Sequence, residues 1–600
     1  MQPVEILGRT HFPLIGEMPY FVVLGPHAIY WFTLESPVPV SAAPAAKRAL
    51  PVLKVDEDWE SLVRGEAQAA LEEVLPAYLE KARWFAGKAR QIMSVKITEA
   101  VPLSAPTKAY LVLIQVKYTE GEPETYLLPL TCVSSGPPGE DGEAPQGAVA
   151  AVRTWKAGKE THELLFDALT QRDFCVALLE AISRRRHFKG ETGEVLAVPT
   201  SALRRILNQA DKPMEPALLK AEQSNTSVVF GDRLILKLFR HVEEGINPDF
   251  EIGRHLTEET AFKHLPAVAG ALEYRSGRRE PMTLAVLQEF IPNQGDAWSY
   301  ARDTLTRYCE EVLAASLDGK EPPLPPMPLS ELAQQDLPAL AQERIGPFLE
   351  SSRLLGQRTA ELHLALAASE DPLFVPEPFT ELYQRSIYQS MRSLTALAFQ
   401  MLRRHLSRLP EDLRPEAAKV LQSEASVHQI FQSLLGRKIT AMRIRCHGDF
   451  HLGQVLTTGK DFVIIDFEGE PARSLSERRL KRSPLSDVAG MLRSFHYAAY
   501  SVLFAREGDT PIRPEDSNRL ENWARFWKSW VGATFLKSYL AVASAAGQGF
   551  LPKTGEELQA LLRAYLLEKA VYELEYELNN RPDWVKIPLR GIHQILENTE

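Results

Sequence analysis

The spacing of apolar residues changes several times along this chain, and each change marks a unit. Residues 20–34, YFVVLGPHAIYWFTL, are aromatic and β-branched around a Gly-Pro turn signal, which predicts a short hairpin. Residues 36–51, SPVPVSAAPAAKRALP, have no periodicity and the Pro/Ala composition of a linker. From Trp59 to about Leu79 apolar residues recur at helical spacing, and the segment ends at RWFAGK, residues 83–88. Strand-like runs follow at 109–118 and 125–130, then a Gly/Pro/acidic loop near 135–148. Between 217 and 239 the pattern predicts a hairpin: ALLKAE, the polar turn QSNTS, VVF, the turn Gly231-Asp232 and RLILKLF. TLAVL at 283–287 reads as a further strand, and beyond 300 amphipathic stretches at 380–404, 517–545 and 556–580 predict long helices around one Pro-rich insert, 321–328. A β-rich part therefore precedes a helical part, an α+β order of two lobes. The expected partition is a hairpin at 1–35, a linker at 36–55, an N-terminal cap domain at 56–200, a β-rich N-lobe at 201–292 and a helical C-lobe at 293–600.

Composition narrows the partners. Six hundred residues exceed what one hydrophobic core organises. A formal net charge of -10 argues against a nucleic-acid footprint and favours a small-molecule partner. Cys132, Cys175, Cys309 and Cys446 lie far apart, without the paired spacing of a zinc or redox site, and are expected to be reduced. The N-terminus has no signal-like apolar run and no eighteen-residue apolar stretch occurs, so a cytoplasmic protein without membrane contact is expected.

The chemistry concentrates at 446–471, CHGDFHLGQVLTTGKDFVIIDFEGEP. DFVIID is a short apolar strand ending in the carboxylate of Asp466, and Asp449 sits in a tight loop between His447 and His451, five residues before Gln454. Phosphoryl transfer to an alcohol needs a carboxylate to position the hydroxyl and accept its proton, and oxygen ligands to hold Mg2+ on the phosphates. Asp449 suits the first role; Gln454 and Asp466, joined by Glu468, suit the second because magnesium prefers hard oxygens. A zinc pair from His447 and His451 needs a helix that Gly448 disfavours, which leaves His447 as a substrate contact or as a brace for the loop. The alternatives without catalysis are an inactive kinase-like domain or a turn with chance acidic residues.

Lys237 lies inside LILKLF, where a charge among apolar neighbours requires an opposite charge. A phosphate-binding lysine paired with a helix glutamate meets that requirement, and Glu251 in NPDFEIGRHL is the expected partner. No GxGxxG occurs, but Ser224, Asn225 and Thr226 in the turn EQSNTS can offer hydroxyls and backbone N–H groups to phosphate. Gln288, Glu289 and Phe290, after the strand TLAVL, occupy the order of elements at which a hinge would meet adenine. Tyr572, Glu573 and Tyr576 share a helix face with the aromatic and carboxylate character of a sugar site. Trp298 is read as packing, Asp487 as structural support for the catalytic loop, and RWFAGK as non-catalytic.

The 447–467 pattern resembles the HGDxHxxN...DF motif of aminoglycoside phosphotransferases and choline kinases, with Gln454 in place of Asn, and implies a two-lobed protein-kinase-like fold. The chain from about 55 onward is similar to the bacterial maltokinases in RWFAGK, EQSNTSVVFGDRLILKLFR, LQEFIPNQGDAWSY, HGDFHLGQVL, DFEGEP and YELEYELNNRPDWVKIPL. That resemblance implies transfer of the ATP γ-phosphate to the anomeric hydroxyl of maltose, with Mg2+, giving maltose 1-phosphate for α-glucan (glycogen) synthesis. FPLIGEMPYFVVLGPHAIYWFTL resembles the end of the C-terminal β-domain of trehalose synthases, as in trehalose synthase/maltokinase fusions, and implies such a domain or subunit as partner. Two other readings stay open: a kinase of an aminoglycoside, choline or another sugar, and a non-catalytic kinase-like module that regulates a trehalose synthase.

Overall fold

The computed structural model describes residues 2–5, 32–35 and 50–597, apart from 57, 104–107, 135–144, 157–158, 209–213, 220–223, 316–320, 505–511, 513–515, 546 and 548. Near the N-terminus, β1 (Gln2–Glu5) pairs antiparallel with β2 (Phe32–Glu35). The rest of the expected 20–34 hairpin, most of the linker and residues 135–144 of the acidic loop lie outside the described residues.

A six-stranded sheet builds the cap from β3 (Val52–Val55), β4 (Ile92–Leu103), β5 (Ala109–Tyr118), β6 (Glu124–Ser134), β7 (Ala148–Lys156) and β8 (Lys159–Asp167), in the order β3-β7-β8-β6-β5-β4. Because β3 pairs parallel with β7, the cap begins before the expected linker ends at 55. The expected helix from Trp59 is a single 3-10 turn, Trp59–Leu62, and the α-helix proper is Gln68–Lys81. β5 is buried along nearly its whole length because successive side chains enter different cores: Tyr110, Val112 and Ile114 pack with Leu71 and Leu75 of this helix, while Leu111 and Leu113 pack with Phe174 and Leu178.

The second sheet contains β9 (His187–Lys189), β10 (Glu194–Pro199), β11 (Pro216–Leu218), β12 (Asn225–Phe230), β13 (Leu234–Phe239), β14 (Val268–Arg275) and β15 (Met282–Glu289), in the order β11-β12-β13-β15-β14-β10-β9. β9, β10 and the helix Arg172–Ser183 belong to this sheet and its core, so the cap ends near Asp167 and not at 200. Pairing of β10 with β14, between residues 71 to 81 positions apart, decides that boundary, and no local pattern encodes it. The C-lobe is helical. Glu381–His405, Ser517–Ala545 and Gly555–Asn580 coincide with the expected amphipathic stretches; the last two pack on the buried helix Leu485–Leu503, and the first packs on Gly555–Asn580. No described helix is long and apolar enough to cross a membrane.

Cap and N-lobe are zipped together. Backbone bonds join Leu127 N–H to the Arg240 carbonyl (2.8 Å) and Val242 N–H to the Thr125 carbonyl (2.9 Å). The buried Arg240 guanidinium bonds Asp167 Oδ2 and lies 4.5 Å from the centroid of the Trp84 ring. Glu99 of the cap, also buried, accepts from the backbone N–H groups of Glu191, Thr192 and Gly193, and these bonds outweigh burial in holding its carboxyl below the usual range. Arg240→Met leaves Asp167 charged and buried and is expected to cost about 3–5 kcal/mol. Urea denaturation checks this, with Arg172→Met at the exposed Glu215 pair expected to change nothing measurable.

Candidate active site

Lys237 reaches across the cleft from β13. Its Nζ stands 2.5 Å from Asp466 Oδ1, 2.5 Å from Glu468 Oε1 and 3.3 Å from Asp249 Oδ2. Burial opposes the ammonium charge, but the three carboxylates outweigh it and hold the pKa well above the ordinary lysine value. Asp249 opens the helix Pro248–Glu259, whose N-cap is the Asn247 side chain. It also accepts from Phe467 N–H at 3.0 Å, so one carboxylate fixes both the lysine and the turn beyond Asp466. Asp466 itself holds φ 65°, a left-handed conformation costly for a residue with a side chain and sustained here by these bonds.

The expected Lys237–Glu251 pair is therefore corrected to Lys237–Asp249. Residues two apart on a helix point about 200° away from each other. Glu251 turns to the C-lobe and pairs with Arg445 (2.6 Å) and Arg479 (2.9 Å). The phosphate turn is also shorter than expected. Asn225 and Thr226 are the first residues of β12, opposite Phe239 and Leu238. Asn225 donates to Glu468 Oε1 (2.8 Å), whereas Thr226 faces away from the cleft and accepts from Arg240 Nε. Ser224 lies at the cleft mouth, and Glu222 and Gln223 are outside the described residues.

Asp249, Asp466 and Glu468 bring one oxygen each within 4.8 Å of one another, and Gln454 Nε2 donates to Asp466 Oδ2 at 2.8 Å. Three carboxylates share one ammonium, and burial beside Asp466 and Asp249 pushes the Glu468 carboxyl up. Such surplus negative charge on hard oxygens fits a divalent cation such as Mg2+. No zinc grouping involving His447 and His451 occurs among the described residues.

Asp449 is set by its loop. Asp487, on the buried helix Leu485–Leu503, accepts from His447 N–H (2.8 Å) and Gly448 N–H (3.0 Å) and is itself bonded by His363. Gly448 adopts φ 86°, and a Cβ there would meet Gly469 Cα at 3.2 Å. The buried His447 ring donates through Nε2 to the Ile465 carbonyl at 2.9 Å. His447 is thus a brace between the loop and the strand leading to Asp466, not a substrate contact. Asp449 Oδ1 stands 3.3 Å from Lys569 Nζ, and His451 is 3.8 Å from Oδ2. Burial alone would raise its carboxyl; Lys569, His451 and His447 outweigh this and lower it.

Asp449 lines three clefts, two of which Ser224 also lines. One, of about 500 Å³, contains Lys237, Asp466 and Glu468 and is walled by Ile235, Leu456 and Ile465, with Gln288, Glu289 and Phe290 at its back. The backbone N–H groups of Glu289 and Phe290 are already bonded to Ala267 and Arg233. The other, about 900 Å³, is lined by Trp298, Tyr497, Tyr572, Tyr576 and Trp584 with carboxylates and Lys569. Asp449 and Ser224 line both.

Comparison with known proteins follows this geometry. Residues 78–170 match the model of the maltokinase N-terminal cap domain. That match covers the cap alone. A glucosamine kinase from Mycolicibacterium smegmatis is 23% identical over 381 residues, 63% of this chain and 79% of that one. A solved glucosamine kinase in complex with glucosamine, ADP and inorganic phosphate has the same fold at 18% identity and TM-score 0.54, covering 90% of this chain and 99% of that one. A trehalose synthase from Pimelobacter sp. is 49% identical over 35 residues, 6% of each chain. The chain accordingly has the expected α+β, two-lobed kinase-like fold with an N-terminal cap.

Several residues of the site have no counterpart among those the sequence pointed to. Lys569 precedes Tyr572, Glu573 and Tyr576 by three, four and seven positions, so helical phase alone could have placed it on their face. Glu573 lines the groove, but its carboxylate is held by the Arg493 guanidinium, Nε at 3.0 Å. Trp298, read as packing, lines the groove beside Asp296, and Trp84 of RWFAGK reaches the first cleft. Asp249→Asn is expected to reduce phosphoryl transfer as severely as Lys237→Met, whereas Glu251→Gln should act chiefly on stability; steady-state rates beside denaturation curves separate the two. Lys569→Met removes the cation nearest Asp449 and should move the acid limb of kcat/KM to higher pH.

Proposed function

We propose that this protein transfers the γ-phosphate of ATP to the anomeric hydroxyl of maltose, giving maltose 1-phosphate and ADP. The observation that carries this reading is the position of Asp449, which lines both the cleft containing Lys237 and the aromatic groove. Adenine fits between Ile235, Leu456 and Ile465 against Gln288–Phe290, with the phosphates toward Lys237, Ser224 and Asn225. Gln454, Asp466 and Glu468, with Asp249, would hold Mg2+, which neutralises phosphate charge when bound. Asp449 is kept ionised by Lys569, so it accepts a hydrogen bond from the acceptor hydroxyl and aligns that oxygen for in-line attack. Its lowered pKa makes orientation a larger contribution than basicity, in keeping with a loose transition state in which little proton transfer precedes attack.

The groove supports a neutral disaccharide. Tyr497 stacks on Trp584 with centroids 6.3 Å apart, and Tyr572 on Tyr576 at 6.4 Å, giving apolar faces for pyranose rings. Its acids are partly compensated: Glu573 by Arg493, Glu577 by Arg581 (2.8 Å), and Asp449 and Glu470 jointly by the one ammonium of Lys569, while Asp296 and Glu575 have no ion pair among the described residues. A cationic acceptor such as an amino sugar, which the names of the glucosamine kinase relatives favour, is the competing reading that an acceptor panel separates from maltose. A trehalose synthase domain or subunit is the proposed source of maltose and α-glucan (glycogen) synthesis the proposed consumer, supported by the short trehalose synthase match.

ADP release with ATP, Mg2+ and maltose, glucosamine, glucose, choline or an aminoglycoside tests this, with mass analysis of the product. Maltose-dependent turnover is expected, falling on the order of 10³-fold in Asp449→Asn while nucleotide affinity holds. Turnover with glucosamine alone would replace the acceptor, and silence across the panel would favour a non-catalytic module.

A further inference from the structure

On the side of Arg493 away from the acceptor groove lies a separate cavity of about 130 Å³. The helices Leu485–Leu503, Ser517–Ala545 and Lys586–Glu597 wall it, and chain 324–332, including the end of the Pro-rich insert, closes it. Its polar lining is Arg493, His496, Arg525, Lys528, Ser529 and Gln594, and no aspartate or glutamate lines it.

Two of the three cations there have no carboxylate partner among the described residues. The Lys528 ammonium donates to Gln594 Oε1 at 2.5 Å and meets no carboxylate among the described residues. Arg525 makes no side-chain ion pair among them. Arg493 gives Nε and Nη2 to Glu573, and Nη1 is not used in that pair. Gly591 stands where a Cβ would lie 2.4 Å from Nη1, so only glycine leaves the guanidinium its place in the wall. His496 is 2% exposed, and both of its ring nitrogens lack a hydrogen-bond partner. A buried imidazole with neither nitrogen bonded costs free energy, as does an ammonium among other cations. Burial, followed by the Arg493 and Arg525 charges, pushes the Lys528 pKa down to about 7. One compact oxyanion offsets all of these costs at once, because it supplies negative charge to three cations and acceptors to a histidine that has none.

We propose that this cavity binds a phosphate group, free or as the head of a small phosphomonoester, held by Lys528, Arg525 and Arg493 with His496 donating a hydrogen bond. The volume admits a tetrahedral oxyanion and excludes a nucleotide, which keeps the site distinct from the Lys237 cleft. An occupant shares the guanidinium that restrains Glu573 in the acceptor groove.

Calorimetric titration of the full chain with inorganic phosphate, and separately with glucose 1-phosphate, tests this without relying on turnover. Binding at one site is expected, weakened about tenfold by Lys528→Gln and by Arg525→Gln and unchanged by Lys237→Met. Arg525 is partly exposed, so its variant keeps the test open if Lys528→Gln fails to fold. Heat from both titrants assigns free phosphate as sufficient; heat from the ester alone, lost in Arg525→Gln, assigns the esterified source. Silence from both, or binding that survives both substitutions and disappears with Lys237→Met, overturns the site.

Discussion

One ammonium group, Nζ of Lys237, faces three carboxylates drawn from two lobes: Asp249 from the helix after β13, and Asp466 and Glu468 from the loop of the C-lobe. A lysine inside an otherwise apolar strand must find such partners or lose its charge, and the partners must in turn be neutralised. The requirement closes the cleft. It draws the helix Pro248–Glu259 against β13, holds Asp466 at positive φ through the Asp249–Phe467 bond, and brings Asn225 of β12 onto Glu468. The surplus of acid over base in this group also makes it receptive to a cation.

The catalytic loop depends on a second buried anchor. Asp487 gives both carboxylate oxygens to the backbone of His447 and Gly448, and Ser494, two turns along the same helix, accepts from Leu452 N–H at 3.1 Å. Burial raises the Asp487 carboxyl, but His363 and the loop bonds outweigh this and leave it low. Close approach makes the contact possible: a Cβ on Gly490 would lie 2.6 Å from the Phe450 carbonyl oxygen. Asp449 is thereby fixed by backbone bonds and braced by the His447 ring, so its side chain is free to face the junction of the clefts.

The cap contributes to this geometry through continuity of chain. Residues 240–242 pair with β6, and His241, Val242 and Glu243 then line the cleft that contains Lys237. Arg240 lies between Asp167 and the Trp84 ring, so RWFAGK, with no chemistry of its own, positions the cleft rim from a different domain.

Local pattern was enough for the long helices, for β5 and β13, and for grouping Asp449, Gln454 and Asp466, which line one cleft, because a helix period, an apolar run and a short polar motif are properties of neighbouring residues. The choice between Asp249 and Glu251 needed helical phase relative to a strand elsewhere, and the motif supplied both acids without ranking them. The cap boundary, the inward turn of Glu573 to Arg493, the brace role of His447 and the uncompensated cations around Lys528 all depend on which distant groups come within a few ångströms. What the sequence by itself determined is the chemistry available, since residue type and local spacing set which groups can carry charge or bond a cation. Which of those groups are paired, and which are left to meet a ligand, was decided only by tertiary structure, because electrostatic pairing acts through space at short range and is indifferent to separation along the chain.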